Sequence, residues 1–205
     1  MAYSFQTFTV GQVLTASQMN QVEVNIRDHV HGVAGVVGGN NVIALSTNTV
    51  SWGNSTTETT IISFSIPANA IGSNSTIRVT AQCVGSIEAA GMQLFFNGYL
   101  GGTAVCSAHL TRYYSAVSAV ASSAIVLNFL ISGAGTASLQ VCTLYMDGYT
   151  RVQSANERFY MITDISTINK DATTALNCAI KVDSPLANLD TKITVLNYMV
   201  ERIYL

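Results

Sequence analysis

The chain has 205 residues, 49% of them hydrophobic, only 10% charged, and a formal net charge of −2. That length suits one domain of ordinary size better than two. A typical soluble domain is about a quarter charged, so a chain this apolar is expected to hide part of its surface against copies of itself. Nine scattered basic residues give no electrostatic footprint for nucleic acid. No run of 18 apolar residues is present to span a membrane, and the opening residues MAYSFQTFTVGQ have neither the basic nor the apolar region of a secretory signal. Folding in a cytoplasm is therefore expected, whatever the later location.

One helix is predicted, from about Ala16 to Val30. Thr15-Ala-Ser-Gln18 forms a capping box, and Leu14 and Met19 occupy hydrophobic-staple positions. Glu23 and Arg27 make a favourable i, i+4 pair, and Gly32 supplies the stop. The apolar face (Met19, Val22, Ile26 and then His29) is as narrow as a coiled-coil seam. It is the expected trimerisation or docking element, because a helix this short is marginal alone. The alternative is a helix that covers one end of the following domain. Residues 33–41, rich in Gly with small apolar side chains, read as a connector between an arm (1–32) and a β-domain (42–205).

Past the connector the hydrophobic period changes from helical to two. Ile62, Phe64 and Ile66 alternate with serines, and Ile77, Val79, Ala81 and Cys83 with polar residues. Ile125, Leu127, Phe129 and Ile131 repeat the pattern, as do Leu176, Cys178, Ile180 and Val182. Strands with one wet face belong to antiparallel sheets. Eight to ten strands are predicted, near 43–52, 57–66, 75–85, 92–97, 103–107, 122–131, 137–146, 157–167, 173–183 and 190–204. They are separated by turn signals that include Pro67-Ala-Asn, Asn97-Gly98, Gly133-Ala-Gly135 and Asp147-Gly148. Many short strands indicate an antiparallel β-sandwich, and this number suggests a jelly roll.

The four cysteines (Cys83, Cys106, Cys142, Cys178) lie far apart and are expected to be buried small hydrophobes. No GxSxG, Walker loop, dinucleotide-binding glycine set or HExxH occurs, and no close pair of carboxylates is evident. Cys106-Ser-Ala-His109 puts a thiol near an imidazole, which in a strand-and-loop setting is expected to be accidental. The chain is not expected to be an enzyme.

Two constellations remain. His29-Val30-His31 closes the helix, and in a threefold assembly these histidines suit a transition metal if the chain turns extended at Val30; otherwise His29 complements the helix dipole. No other cofactor is expected. The second is an aromatic and polar set, His109, Arg112, Tyr113 and Tyr114 with Tyr145, Tyr149 and Arg151, expected on loops, where it would suit a glycan or protein surface.

The stretch Phe8-Thr-Val-Gly-Gln-Val-Leu-Thr-Ala-Ser-Gln-Met-Asn20, continuing to Asn25-Ile-Arg-Asp-His29, resembles the opening of many tailed-bacteriophage structural proteins. Residues Thr59 to Asn69, with Thr76-Ile-Arg-Val79, are similar to the start of jelly-roll knobs on phage fibres and capsid-surface proteins. The resemblance implies a trimeric component of the virion exterior, with the arm attached to other virion proteins and the β-knob outward. A small tail-fibre or receptor-binding appendage is the first expectation, a capsid decoration (cement) or head-fibre protein the second. A carbohydrate-active enzyme or a lectin-like module is a remote third.

Overall fold

A computed structural model describes residues 41–87, 93–111, 121–136, 138–152, 155–185 and 191–204. The predicted helix, most of the connector, and the histidines His29 and His31 lie outside these residues.

Every regular element described is a strand: β1 (Asn41–Ser46), β2 (Val50–Gly53), β3 (Thr59–Ile66), β4 (Ser75–Ile87), β5 (Gln93–Leu100), β6 (Thr103–Thr111), β7 (Ala121–Gly133), β8 (Leu139–Val152), β9 (Ala155–Asn169), β10 (Leu176–Asp183) and β11 (Lys192–Tyr204). All pairings are antiparallel. A seven-stranded sheet runs β1-β11-β4-β7-β8-β9, with β2 also on β11, and a four-stranded sheet runs β3-β10-β5-β6. The pairing is nested: β1 and β2 join β11, β3 joins β10, β4 joins β7, and β5 joins β6. The β8–β9 hairpin extends the larger sheet beyond β7.

The alternation in sequence becomes alternation in burial. Along β5, Leu94, Phe96, Gly98 and Leu100 point inward while Gln93, Phe95, Asn97 and Tyr99 stay half-exposed. Inward side chains of both sheets form one core, with Ile62, Phe96 and Ile180 from the smaller sheet against Ile77, Leu127, Phe129 and Leu144 from the larger. Each such large side chain contributes about 1.5–3 kcal/mol of burial. The sheets are also stitched by polar contacts: the Tyr198 hydroxyl donates to the Ser63 carbonyl at 3.1 Å, and the Ser166 hydroxyl donates to the Val105 carbonyl.

One end of the sandwich is closed by the connections that follow β3, β5, β7 and β9. Asn69 N–H donates to the Ala172 carbonyl at 2.7 Å and Gly101 N–H to the Asn177 carbonyl at 2.7 Å. The fully buried Gln140 side chain exchanges two hydrogen bonds of 3.0 Å with the backbone of Lys170. At the opposite end lie Ile87, Gln93, Thr111, Ala121, Val152, Ala155, Asp183 and Lys192, where β4 leads to β5, β6 to β7, β8 to β9 and β10 to β11.

Three expectations about turns need correction. Asn97-Gly98 is not a turn but the middle of β5. A Cβ on Gly98 would stand 3.0 Å from both the Cys106 sulfur and the Phe129 ring, so the glycine is there for close packing. The chain reverses instead at Gly101-Gly102, whose φ angles of 56° and 77° suit glycine. Asp147-Gly148 lies inside β8, where Asp147 faces Val126 and Tyr160 in register. The predicted strand 43–52 is broken at residues 47–49 into β1 and β2, both held by β11.

Candidate functional site

The outward residues of β3, β10, β5 and β6 form a surface in which aromatic and charged side chains meet. Register sets the rows. Asp183 stands opposite Phe95, which stands opposite His109; next come Lys181, Asn97 and Ser107; then Ala179 and Tyr99. Glu58, just before β3, reaches over this surface from its edge.

Glu58 is the hub. Tyr99 hydroxyl lies 2.7 and 2.8 Å from its two oxygens, Asn97 Nδ2 donates to Oε1 at 3.0 Å, and Lys181 Nζ donates to Oε2 at 3.1 Å. The Lys181 ammonium also sits 3.9 Å from the centre of the Tyr99 ring, a cation–π contact. Partial burial raises the Glu58 carboxyl, but the bonds from Tyr99, Lys181 and Asn97 together outweigh it and hold the group below its ordinary value. Lys181 is raised by the Glu58 bond, and Tyr99 by burial and then Glu58. Each group restrains the others.

Beside this lattice is a less satisfied spot. Phe95 and His109 pack edge to face with ring centres 4.5 Å apart and planes at 74°. Ser107 Oγ lies 3.3 Å from His109 Nε2. On the other flank of Phe95, the Asp183 oxygen Oδ1 is shielded from water and has no hydrogen-bond partner. Burial first, and the Glu58 charge second, raise the Asp183 carboxyl, with His109 opposing them. An aromatic pair beside a fixed array of amide, hydroxyl, ammonium and carboxylate groups suits a ligand with apolar faces and its own hydroxyl or amine groups.

Of the residues singled out in the sequence, His109 belongs to this surface but lies in β6, not on a loop. Tyr145, Tyr149 and Arg151 lie in β8, also a correction to their loop assignment. The cause is that Asp147-Gly148, the presumed breaker, continues the ladder to β7 and β9. Tyr145 and Tyr149 face away from the core on the larger sheet, where Tyr149 is 55% exposed, so they do not join His109. Arg112, Tyr113 and Tyr114, like Met19, Val22 and Ile26, lie outside the described residues. Sequence reasoning missed Glu58, Phe95, Asn97, Tyr99, Lys181 and Asp183. Their signal was present as polar and aromatic residues on the wet phase of β5 and β10, but no pattern in one strand announces its neighbour in the sheet.

The Cys106–His109 pair offers no nucleophile. Cys106 is buried on the inward face, whereas His109 points outward. Among the described residues no group of three or more His, Cys, Asp or Glu is arranged to hold a metal.

No family model matches the chain, and no curated protein matches it. Among solved structures, the chain is similar at 14% identity and a TM-score of 0.33 to the CBM2 module of the evolved Dit of Lactobacillus casei BL23 phage J-1, covering 68% of this chain and 67% of that one. It is also similar to infectious bursal disease virus, Gx strain, at 15% identity and a TM-score of 0.31, covering 82% of this chain. For the VP2 subviral particle of infectious bursal disease virus the identity is 13% and the TM-score 0.25. The match spans 42% of the Gx-strain chain and 41% of the VP2 chain.

Proposed function

We propose that this chain is a non-enzymatic structural protein of the exterior of a tailed-phage virion, a homotrimeric receptor-binding appendage that presents its four-stranded sheet to the host surface. The observation that carries the reading is the outward face of that sheet: the braced Glu58–Tyr99–Lys181–Asn97 lattice beside Phe95, His109 and the partnerless Asp183 oxygen. Its opposite charges nearly cancel, which suits a neutral ligand. Sugars combine apolar C–H faces that pack on aromatic rings with hydroxyls that both donate and accept, so a surface glycan fits the inventory.

The nested pairing of β1/β2 with β11, β3 with β10, β4 with β7 and β5 with β6 supports a jelly roll, with β8–β9 as an added hairpin. The N-terminal resemblance supports attachment to other virion proteins through residues 1–32, with Met19, Val22, Ile26 and His29 as the docking or trimerisation seam. A capsid decoration protein would instead bury the same face of the sheet against the capsid lattice.

Two measurements test the reading. Antibody-labelled electron microscopy of intact virions is expected to place the protein at an exterior appendage; absence of label there rejects the assignment. Purified protein is expected to adsorb to host cells, with Phe95→Ala and Asp183→Ala each reducing adsorption at least tenfold while the fold is kept. Unchanged adsorption in both variants rejects the binding face.

A further inference from the structure

We infer that the outer face of the seven-stranded sheet is the surface through which this chain binds copies of itself. The inference rests on the homo-oligomer proposed above and names its seam. The two sheets differ in what they show to solvent. Every exposed large apolar side chain among the described residues belongs to a strand of the larger sheet, from Leu45 and Ile165, each 68% exposed, to Val84 and Val126, 41% and 37% exposed. None lies on the four-stranded sheet, whose outer face carries Glu58, Lys181, Asp183 and His109 instead.

Register turns these residues into a continuous field. Val84 stands between Thr194 and Ala124, and Ala124 faces Tyr149; one row on, Gln82 separates Asn197 from Val126; beyond it, Leu45, Met199, Thr80, Asn128 and Tyr145 stand in line. Apolar groups are thus interleaved with hydroxyls and amides. The charged residues on this face are Arg78 and Glu201, paired at 2.6 Å, with Lys192 and Asp147 of opposite sign, and register adds Arg151 and Arg158 at the β8–β9 end. An apolar patch interleaved with hydroxyls and amides suits self-association, and a face that carries both signs can set its acids against the bases of a copy.

The area is sufficient. Strands β4 and β7 have 13 residues each, which at about 3.3 Å per residue makes the face about 40 Å long. Six strand positions spaced by about 4.8 Å add a width of about 24 Å. The resulting footprint, on the order of 950 Å², exceeds the roughly 800 Å² per partner of a standard interface.

Light scattering on the full chain at micromolar concentration tests this. Wild-type protein is expected to be oligomeric, while Val84→Glu with Val126→Glu, and separately the edge variant Ile165→Glu, shift the mass towards the single-chain 21.8 kDa with an unchanged circular-dichroism spectrum. Ser65→Glu, on the exposed outer face of the four-stranded sheet, is expected to leave the oligomer intact. A monomeric wild type overturns the inference together with the oligomer it rests on. An oligomer retained in both face variants overturns the inference alone and leaves assembly to residues 1–40. Retention accompanied by a large fall in melting temperature means that the chain's own segments cover the face, which also overturns it.

Discussion

Asp183 shows how a single residue can serve binding at the expense of stability. Its carboxyl is raised by burial, so its folded-state value exceeds the unfolded one. Such an acid favours folding least where it is ionised, and stability falls as pH rises through that window, from roughly pH 4 upward. Asp183→Asn is therefore expected to gain about 0.5–1 kcal/mol in urea unfolding at pH 7; a loss of stability would mean that Asp183 has a donor in the folded protein. Glu58 has the opposite sign. Its folded value lies below the unfolded one, so its contribution is present above roughly pH 4 and is lost as acid protonates it. Glu58→Gln is expected to flatten the stability profile between roughly pH 3 and pH 5, by at most about 1 kcal/mol because the pair with Lys181 is partly solvated. The cysteines make a residue-scale prediction too. All four are buried and none is in a disulfide, and burial pushes Cys83 and Cys142 up to about 12. A thiol reagent at pH 8 is expected to label none of them in folded protein and all four after unfolding; rapid labelling of native protein would contradict this burial.

At the scale of the element, β5 carries both layers of the molecule. Its inward phase packs Phe96 and Leu100 into the core, and its outward phase supplies Phe95, Asn97 and Tyr99 to the candidate site. Gly98 fixes how closely β5 approaches Phe129 of β7. Gly98→Ala is expected to cost about 1–3 kcal/mol by overpacking. Combining it with Phe129→Leu is expected to cost less than the sum of the two single changes, since the smaller side chain vacates the clash. Strict additivity in a double-mutant cycle would refute the contact. The same strand shows where local signals mislead. Asn-Gly is a hairpin signal because both residues accept positive φ, yet here the glycine answers to a ring in the opposite sheet. Asp147-Gly148 misled in the same way, since ladders on both sides carry β8 straight through it.

For the molecule as a whole, the core of the described residues begins at Trp52 and draws on both sheets. A chain starting at Asn41 is therefore expected to unfold cooperatively, with a melting temperature within a few degrees of the full-length value. A large drop would place the N-terminal segment within the domain's own packing. The two faces of the sandwich present opposite chemistry, polar and aromatic on the smaller sheet, apolar side chains interleaved with hydroxyls and amides on the larger. That division suits a molecule that assembles by one face and binds by the other.

The sequence by itself determined the fold class, because a period of two in Ile77–Cys83, Ile125–Ile131 and Leu176–Val182 states which side chains are dry whichever strands they pair with. It also determined that the cysteines are core residues, and it identified the true turns at Pro67-Ala-Asn69 and Gly133-Ala-Gly135. Only the tertiary structure decided the candidate site. Glu58, Tyr99 and Lys181 are separated by up to 123 residues in the chain and become neighbours through the β3–β10–β5 register, a long-range choice that no local pattern encodes. The contrast between the two outer faces was equally hidden. Exposed Val84 and half-buried Asp183 both lie on the outward side of a strand, and which sheet that side belongs to is settled by pairing alone.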